Sequence, residues 1–193
     1  SGITVSGDFN NDNLPDLFVA GSIVPGSYPN HYPNKILIND GKGNLNIDET
    51  HNDSLNDFEG IVRDALWTDL NADGFQDLIL VGEWMPITVF INRKGILEKQ
   101  TNYFCNPKTE KGWWNSIEAT DLNNDGRMDF IIGNEGLNSA YKASLEKPIK
   151  MHFDDFDNNG AVDPIISYYI KEKSYPLATR DELLSQWVAL KSI

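Results

Sequence analysis

Apolar and polar residues alternate along most of this chain, in short runs bounded by Asp, Asn and Gly. Four runs begin on an aspartate and read as strands: "DLFVAGS" from Asp16, "DLILVGEW" from Asp77, "DFIIGNEG" from Asp129 and "DPIISYYI" from Asp163. The segments "GIVRDALWT" (60–68) and "GWWNSIEAT" (112–120) read the same way. "NKILINDGKGNLNIDE" and "ITVFINRKGILEKQ" predict strand–turn–strand units, with "NDGKG" and "NRKG" as the turns. The period changes only in "TRDELLSQWVALKSI", where Leu183, Leu184, Trp187, Val188 and Leu190 line one helical face. A helix over 179–191 is expected there, with Thr179 or Asp181 as its cap. The pattern predicts an all-β body over residues 1–176 and a helical tail over 177–193.

Each of the four aspartate-led runs follows a copy of one nine-residue motif: "DFNNDNLPD" from Asp8, "DLNADGFQD" from Asp69, "DLNNDGRMD" from Asp121 and "DFDNNGAVD" from Asp155. Positions one, three, five and nine always carry an oxygen-bearing side chain. They are Asp8, Asn10, Asp12 and Asp16, then Asp69, Asn71, Asp73 and Asp77, then Asp121, Asn123, Asp125 and Asp129, and last Asp155, Asp157, Asn159 and Asp163. Position six is Asn13, Gly74, Gly126 or Gly160, residues that tolerate a left-handed backbone, and position two is a Phe or Leu expected to anchor the loop. Laid over each other at an offset of 52, the second and third copies also pair Gly60 with Gly112, Thr68 with Thr120 and Glu83 with Glu135. The repeat therefore extends beyond the loop.

Oxygen side chains at alternate positions of a tight turn converge on one side. The backbone carbonyl of position seven (Leu14, Phe75, Arg127 or Ala161) joins them, and the position-nine aspartate closes the shell. An all-oxygen set with flexible geometry suits calcium, up to four ions here; magnesium wants stricter octahedral order, and zinc wants His or Cys, absent from the loops. The competing reading is four Asx-rich turns without metal. The twelfth positions, Val19, Leu80, Ile132 and Ile166, are apolar, where a helix–loop–helix calcium site needs a bidentate Glu, so that class is excluded. Charge agrees: 16 basic residues stand against 29 acidic ones for a net of −13, and 12 of the acidic residues lie in the loops. Such a chain repels nucleic acid and anionic membranes, and it has no apolar run long enough to span a bilayer. Cys105 is single, so no internal disulfide forms.

Four short strands per repeat of 50–60 residues is the size of a β-propeller blade. The loops, followed by "LFVAG", "LILVG" and "FIIGN", resemble the FG-GAP/VCBS repeats of integrin α-like propellers and of bacterial surface proteins, over nearly the whole chain to about Tyr175. The resemblance implies a partial propeller of three to four blades with calcium loops between strands, in which the loop Asp and Asn side chains ligate the metal. It also implies an extracellular, cell-surface or outer-membrane-associated setting. Loop spacings of 61, 52 and 34 residues leave the third unit no room for its last hairpin, so the parent propeller is expected to be larger. Open strand edges predict self-association.

Catalytic chemistry finds little support. His31, His51 and His152 stand apart, and no nucleophile elbow, zinc-protease motif or phosphate loop occurs. Glu83 and Glu135 are expected just past strand ends where loops converge. Trp84, Trp113 and Trp114 offer an aromatic platform or blade filler; strict alternation puts Trp113 on the face of Ile117 and sends Trp114 to the other. The reading that follows is a calcium-binding module that takes a protein or carbohydrate ligand, with Trp84, Trp114, Glu83 and Glu135 as candidate contacts. The alternative is the propeller body of a polysaccharide-active enzyme.

Overall fold

The computed structural model describes residues 2–50, 54–100, 103–104, 111–136, 139 and 141–187; His51, Cys105, Val188 and Leu190 lie outside them. The chain forms two compact units, one of Ser1–Ile23 with His31–Glu135, the other of Val24–Asn30 with Gly136–Ile193. In the first unit, β1 (Thr4–Gly7), β2 (Asp16–Val19), β3 (Lys35–Asn39) and β4 (Leu45–Ile47) make an antiparallel meander. A second meander follows: β5 (Ile61–Thr68), β6 (Asp77–Met85), β7 (Thr88–Asn92) and β8 (Leu97–Gln100). The hairpin of β9 (Gly112–Thr120) and β10 (Asp129–Asn134) joins it where the end of β6 pairs with the start of β9, Glu83 with Trp113 and Met85 with Gly112. The second unit holds β11 (Lys150–Asp154), β12 (Asp163–Ile170) and β13 (Lys173–Pro176), then α1 (Arg180–Gln186).

Each acidic loop thus joins the first two strands of its repeat, and each position-nine aspartate is the first residue of the strand that follows. Among the described residues the third repeat has two strands, in line with its short spacing, and the fourth has three. Helix α1 starts at Thr179, whose hydroxyl accepts from the Glu182 N–H while the Glu182 carboxylate accepts from the Thr179 N–H, a reciprocal cap that selects Thr179 over Asp181. Trp187 ends the helix against the ring of Phe156, 5.4 Å between centroids.

β6 is buried on both faces, which is why "LILV" is continuously apolar. Alternation sends Leu78 and Leu80 into one core with Phe9, Phe18, Ile36, Trp67 and Phe90. Ile79 and Val81 enter a second core with Val89, Ile91 and Ile117, on which Phe130 and Ile132 pack. One strand therefore glues the first sheet to one of its faces and the β9–β10 hairpin to the other.

Position two anchors only the first two loops. Phe9 is buried and Leu70 packs against the second core, whereas Leu122 and Phe156 are 63% and 46% exposed. The loops turn through two left-handed residues. Position six was readable from Asn and Gly; position four is equally left-handed, at Asn11 (φ 62°), Ala72 (58°), Asn124 (59°) and Asn158 (59°). Ala72 is the misfit, since an alanine pays for this conformation and an asparagine does so far less.

Two consequences are measurable by thermal or denaturant unfolding. Phe9→Ala is expected to cost about 3 kcal/mol, the lower end for truncating a buried Phe, while Leu122→Ala stays within about 0.5 kcal/mol. Ala72→Asn, by relieving the left-handed strain, is expected to add about 0.5–1 kcal/mol.

Candidate functional site

The four loops share one hydrogen-bond pattern, imposed by side chains short enough to reach back to their own backbone. In the second loop Asp69 takes the N–H groups of Asp73 (3.1 Å) and Gly74 (2.8 Å) on its two carboxylate oxygens. The Asn71 side-chain oxygen accepts from Asp73 N (2.9 Å), and the Asp73 carboxylate accepts from Phe75 N (3.0 Å). The same bonds recur from Asp8, Asn10 and Asp12. They recur again from Asp121, Asn123 and Asp125, and from Asp155, Asp157 and Asn159. Positions one, three and five are thereby held on the inside of each turn.

Position nine ties the loop to the sheet. Asp77 accepts from Leu70 N on one oxygen (2.8 Å) and from Asn92 N, at the end of β7, on the other (2.7 Å). Asp16 does the same with Phe9 N (3.1 Å) and Asn39 N at the end of β3 (2.8 Å). Both are wholly buried. Burial pushes both carboxyls above the usual range; at each, the N–H bonds oppose this, and neighbouring loop carboxylates, Asp12 for Asp16, Asp73 and Asp69 for Asp77, push the same way as burial. Among the described residues Asp129 and Asp163 accept only from the position-two N–H groups of Leu122 (3.0 Å) and Phe156 (3.1 Å), and they are partly buried.

Asn39, Asn92 and Gln76 were not read from the sequence as part of the site. The Asn92 side chain donates to the carbonyls of Phe9 (2.7 Å) and Gln76 (3.0 Å), and the Gln76 side-chain oxygen accepts from Asp8 N (2.8 Å), so the first two loops are fastened to each other. The available signal was the recurring "IN" that ends the third strand of the first two repeats, β3 and β7, before its turn.

The loop donors are all oxygens, the ligand type that a hard cation takes, and among the described residues three carboxylates converge in the fourth loop only. In the fourth loop Asp155, Asp157 and Asp163 bring carboxylate oxygens within 4.8 Å of one another. Two oxygens on one calcium, at about 2.3–2.6 Å each, are at most about 5 Å apart. A carboxylate oxygen that accepts one N–H keeps a lone pair for a metal. Among the described residues, the ion pairs formed by Lys and Arg leave all of these loop carboxylates out.

A second group of candidates gathers at the opposite ends of the same strands. Glu83 lies within β6, not past its end, and Arg63 grips it through Nε (2.7 Å) and Nη2 (2.5 Å). Glu135 does follow β10; it is exposed, and its N–H donates to the Trp113 carbonyl (3.0 Å). The face assignment of the tryptophans is reversed. In the register Ile117 meets Ile132, Ser116 meets Gly133 and Trp114 meets Asn134, so Asn115 is an extra residue that flips the parity. Trp114 consequently packs on the second core with Ile117, its indole N–H donating to the Met85 carbonyl (3.2 Å). Trp113 turns to the other face and meets Trp84 edge-on, centroids 5.2 Å apart and planes at 81°. Trp84 is itself bulged out of the β6–β9 ladder, with φ 61°.

No curated protein matches this chain. A family model described as "FG-GAP-like repeat" matches twice, over residues 8–80 and 69–132. Both matches open on position one of a loop, Asp8 and Asp69, and each runs through the next loop into the strand that follows it. With its sheets built on these loops, the chain belongs to the FG-GAP-like repeat family and has a β-propeller-like fold.

Proposed function

We propose that this chain is a calcium-stabilised binding module of a secreted or cell-surface protein, and that its acidic loops serve structure, not catalysis. One observation carries the reading: four loops with one hydrogen-bond pattern carry carboxylates that no Lys or Arg neutralises among the described residues, two of them wholly buried. A soluble cation is the counter-charge such a design calls for. Asp and Asn at positions one, three, five and nine would hold it, with the position-seven carbonyls of Leu14, Phe75, Arg127 and Ala161. Four divalent ions would bring the net charge from −13 to −5. The module would present a ligand-binding face on a scaffold stiffened in this way, in line with the integrin-like resemblance.

Extracellular calcium modules bind at about 10⁻⁴–10⁻³ M, and a site with free ion at about 100 times its Kd gains about 2.7 kcal/mol. Two filled sites would supply a sizeable share of the 5–15 kcal/mol typical of a domain. Chelation is therefore expected to lower the melting temperature by about 10–20 °C, at about 2–4 °C per kcal/mol for a chain of this size. Calcium should restore it, with magnesium much weaker, and Asp73→Ala or Asp125→Ala should each remove about one site's share. A melting curve indifferent to chelator, in protein shown to be metal-free, would return the loops to the status of Asx-rich turns.

Partners are also expected at the sheet edges. β4 ends its sheet with Leu45 and Ile47 both exposed, and such an edge invites pairing with another chain. Light scattering should show association that grows with concentration; a monomer stable at high concentration would contradict this.

A further inference from the structure

We propose that α1 is a plug: it occupies, on the fourth repeat, the place that the next repeat takes on the first and second, and so bars a second copy of the chain from joining there head to tail. The starting observation is a pair of ring contacts. Phe9, position two of the first loop, lies against Trp67 of β5, ring centroids 6.0 Å apart. Phe156, position two of the fourth loop, lies against Trp187 at the end of α1, centroids 5.4 Å apart. Trp67 belongs to the repeat that follows, Trp187 to a helix. Both indoles are 8% exposed, and theirs are the two buried side-chain N–H groups without a hydrogen-bond partner among the described residues. An indole buried at the expense of its hydrogen bond is held there by apolar packing.

The face so covered is the same in each repeat. Position two shares it with position eleven: Phe9 and Phe18 enter one core, and Leu70 packs on the core that holds Ile79. Each time the next repeat supplies the cover, Trp67, Leu78 and Leu80 for the first pair and Ile117 for the second. In the fourth repeat these positions are Phe156 and Ile165, and Phe156 takes its cover from α1 instead of a strand. Leu183 and Trp187 are one helical turn apart on the apolar side of α1, and the reciprocal cap at Thr179 fixes where that turn begins.

What the plug keeps out is given by the first repeat. Repeats in this chain join by setting positions ten and twelve of one against positions two and eleven of the one before, as Leu78 and Leu80 share a core with Phe9 and Phe18. In the first repeat positions ten and twelve are Leu17 and Val19. Leu17 lies directly opposite Leu37, and Leu37 opposite Ile47, an apolar row across β2, β3 and β4. The row belongs to neither core; Leu17 and Leu37 are partly buried and Ile47 is 43% exposed. A second copy therefore carries the row that matches the Phe156 face, a heterologous contact that would repeat from chain to chain. With Trp187 seated on Phe156 that face is taken.

The test is hydrogen exchange and sedimentation of the whole chain and its variants. In the parent, the Leu183 and Trp187 amides, which donate to the Thr179 and Leu183 carbonyls, are expected to exchange slowly. Trp187→Ala should speed them by about tenfold or more, the range of a lost aromatic anchor, while Trp187→Phe keeps most of the protection. Phe156→Ala should loosen α1 from the other side of the contact. The β6 amides, remote from the plug, should keep their protection in all three, which shows that the fold is intact; should Trp187→Ala lose it, Phe156→Ala carries the same exchange test. Trp187→Ala is also expected to associate at concentrations about tenfold or more below those the parent needs, and Ile47→Lys added to it should reverse this. Parent α1 amides that exchange as in an unstructured peptide overturn the proposal. So does protection of α1 that survives both Trp187→Ala and Phe156→Ala, or association of Trp187→Ala no stronger than that of the parent. Pairing through the β4 edge alone would be equal in parent and Trp187→Ala, so the two routes to self-association are told apart.

Discussion

A buried carboxylate with two backbone N–H partners is the constraint from which the first unit is built. Asp77 cannot be placed at the start of β6 without both, because a wholly desolvated acid is costly unless its lone pairs are filled. One partner lies in its own loop and the other at the end of β7, so the bonds that solve the problem of burial also fix the turn against its sheet. Asp16 repeats the solution with Phe9 and Asn39. Asn92 then reaches from the second sheet to the Phe9 carbonyl, and the two loops become one polar network beside the first core. Where no third-strand asparagine supplies the second N–H, as at Asp129 and Asp163, the carboxylate stays partly in water.

The same strands keep two chemistries apart. The ends that carry the loops gather acidic oxygens, whose mutual repulsion a cation would relieve; the other ends gather tryptophans, an arginine and a glutamate in near charge balance. β6 makes this possible by being apolar on both faces through its middle, which leaves its charged residues, Asp77 and Glu83, towards its two ends. Bulges at Arg63, Trp84 and Asn115 re-aim side chains at that second end without disturbing the regular ladder near the loops.

Much of this was legible in the sequence because it is local. Strands starting at Asp16, Asp77, Asp129 and Asp163, the left-handed position six, the "NDGKG" and "NRKG" turns, the shortened third unit and the Thr179 cap all depend on residues within a few positions of each other. The periods of the chain therefore determined the all-β class, the four loops and the order of the hairpins. The family match follows from the same local repeat.

Tertiary structure decided what alternation alone could not. A single extra residue at Asn115 reverses every side chain beyond it, so Trp114 enters the core and Trp113 leaves it, although period two predicts the opposite. The exposure of Leu122 against the burial of Phe9 depends on which neighbouring strands exist to cover them, and the two motifs are alike at that position. Asn92 and Gln76 act on a loop far away in sequence, and Glu83 takes its partner from a strand twenty residues earlier. Parity, cover and long-range pairing are properties of the assembled sheet: each is set by which strand lies alongside, a relation that local hydrophobic periods do not encode.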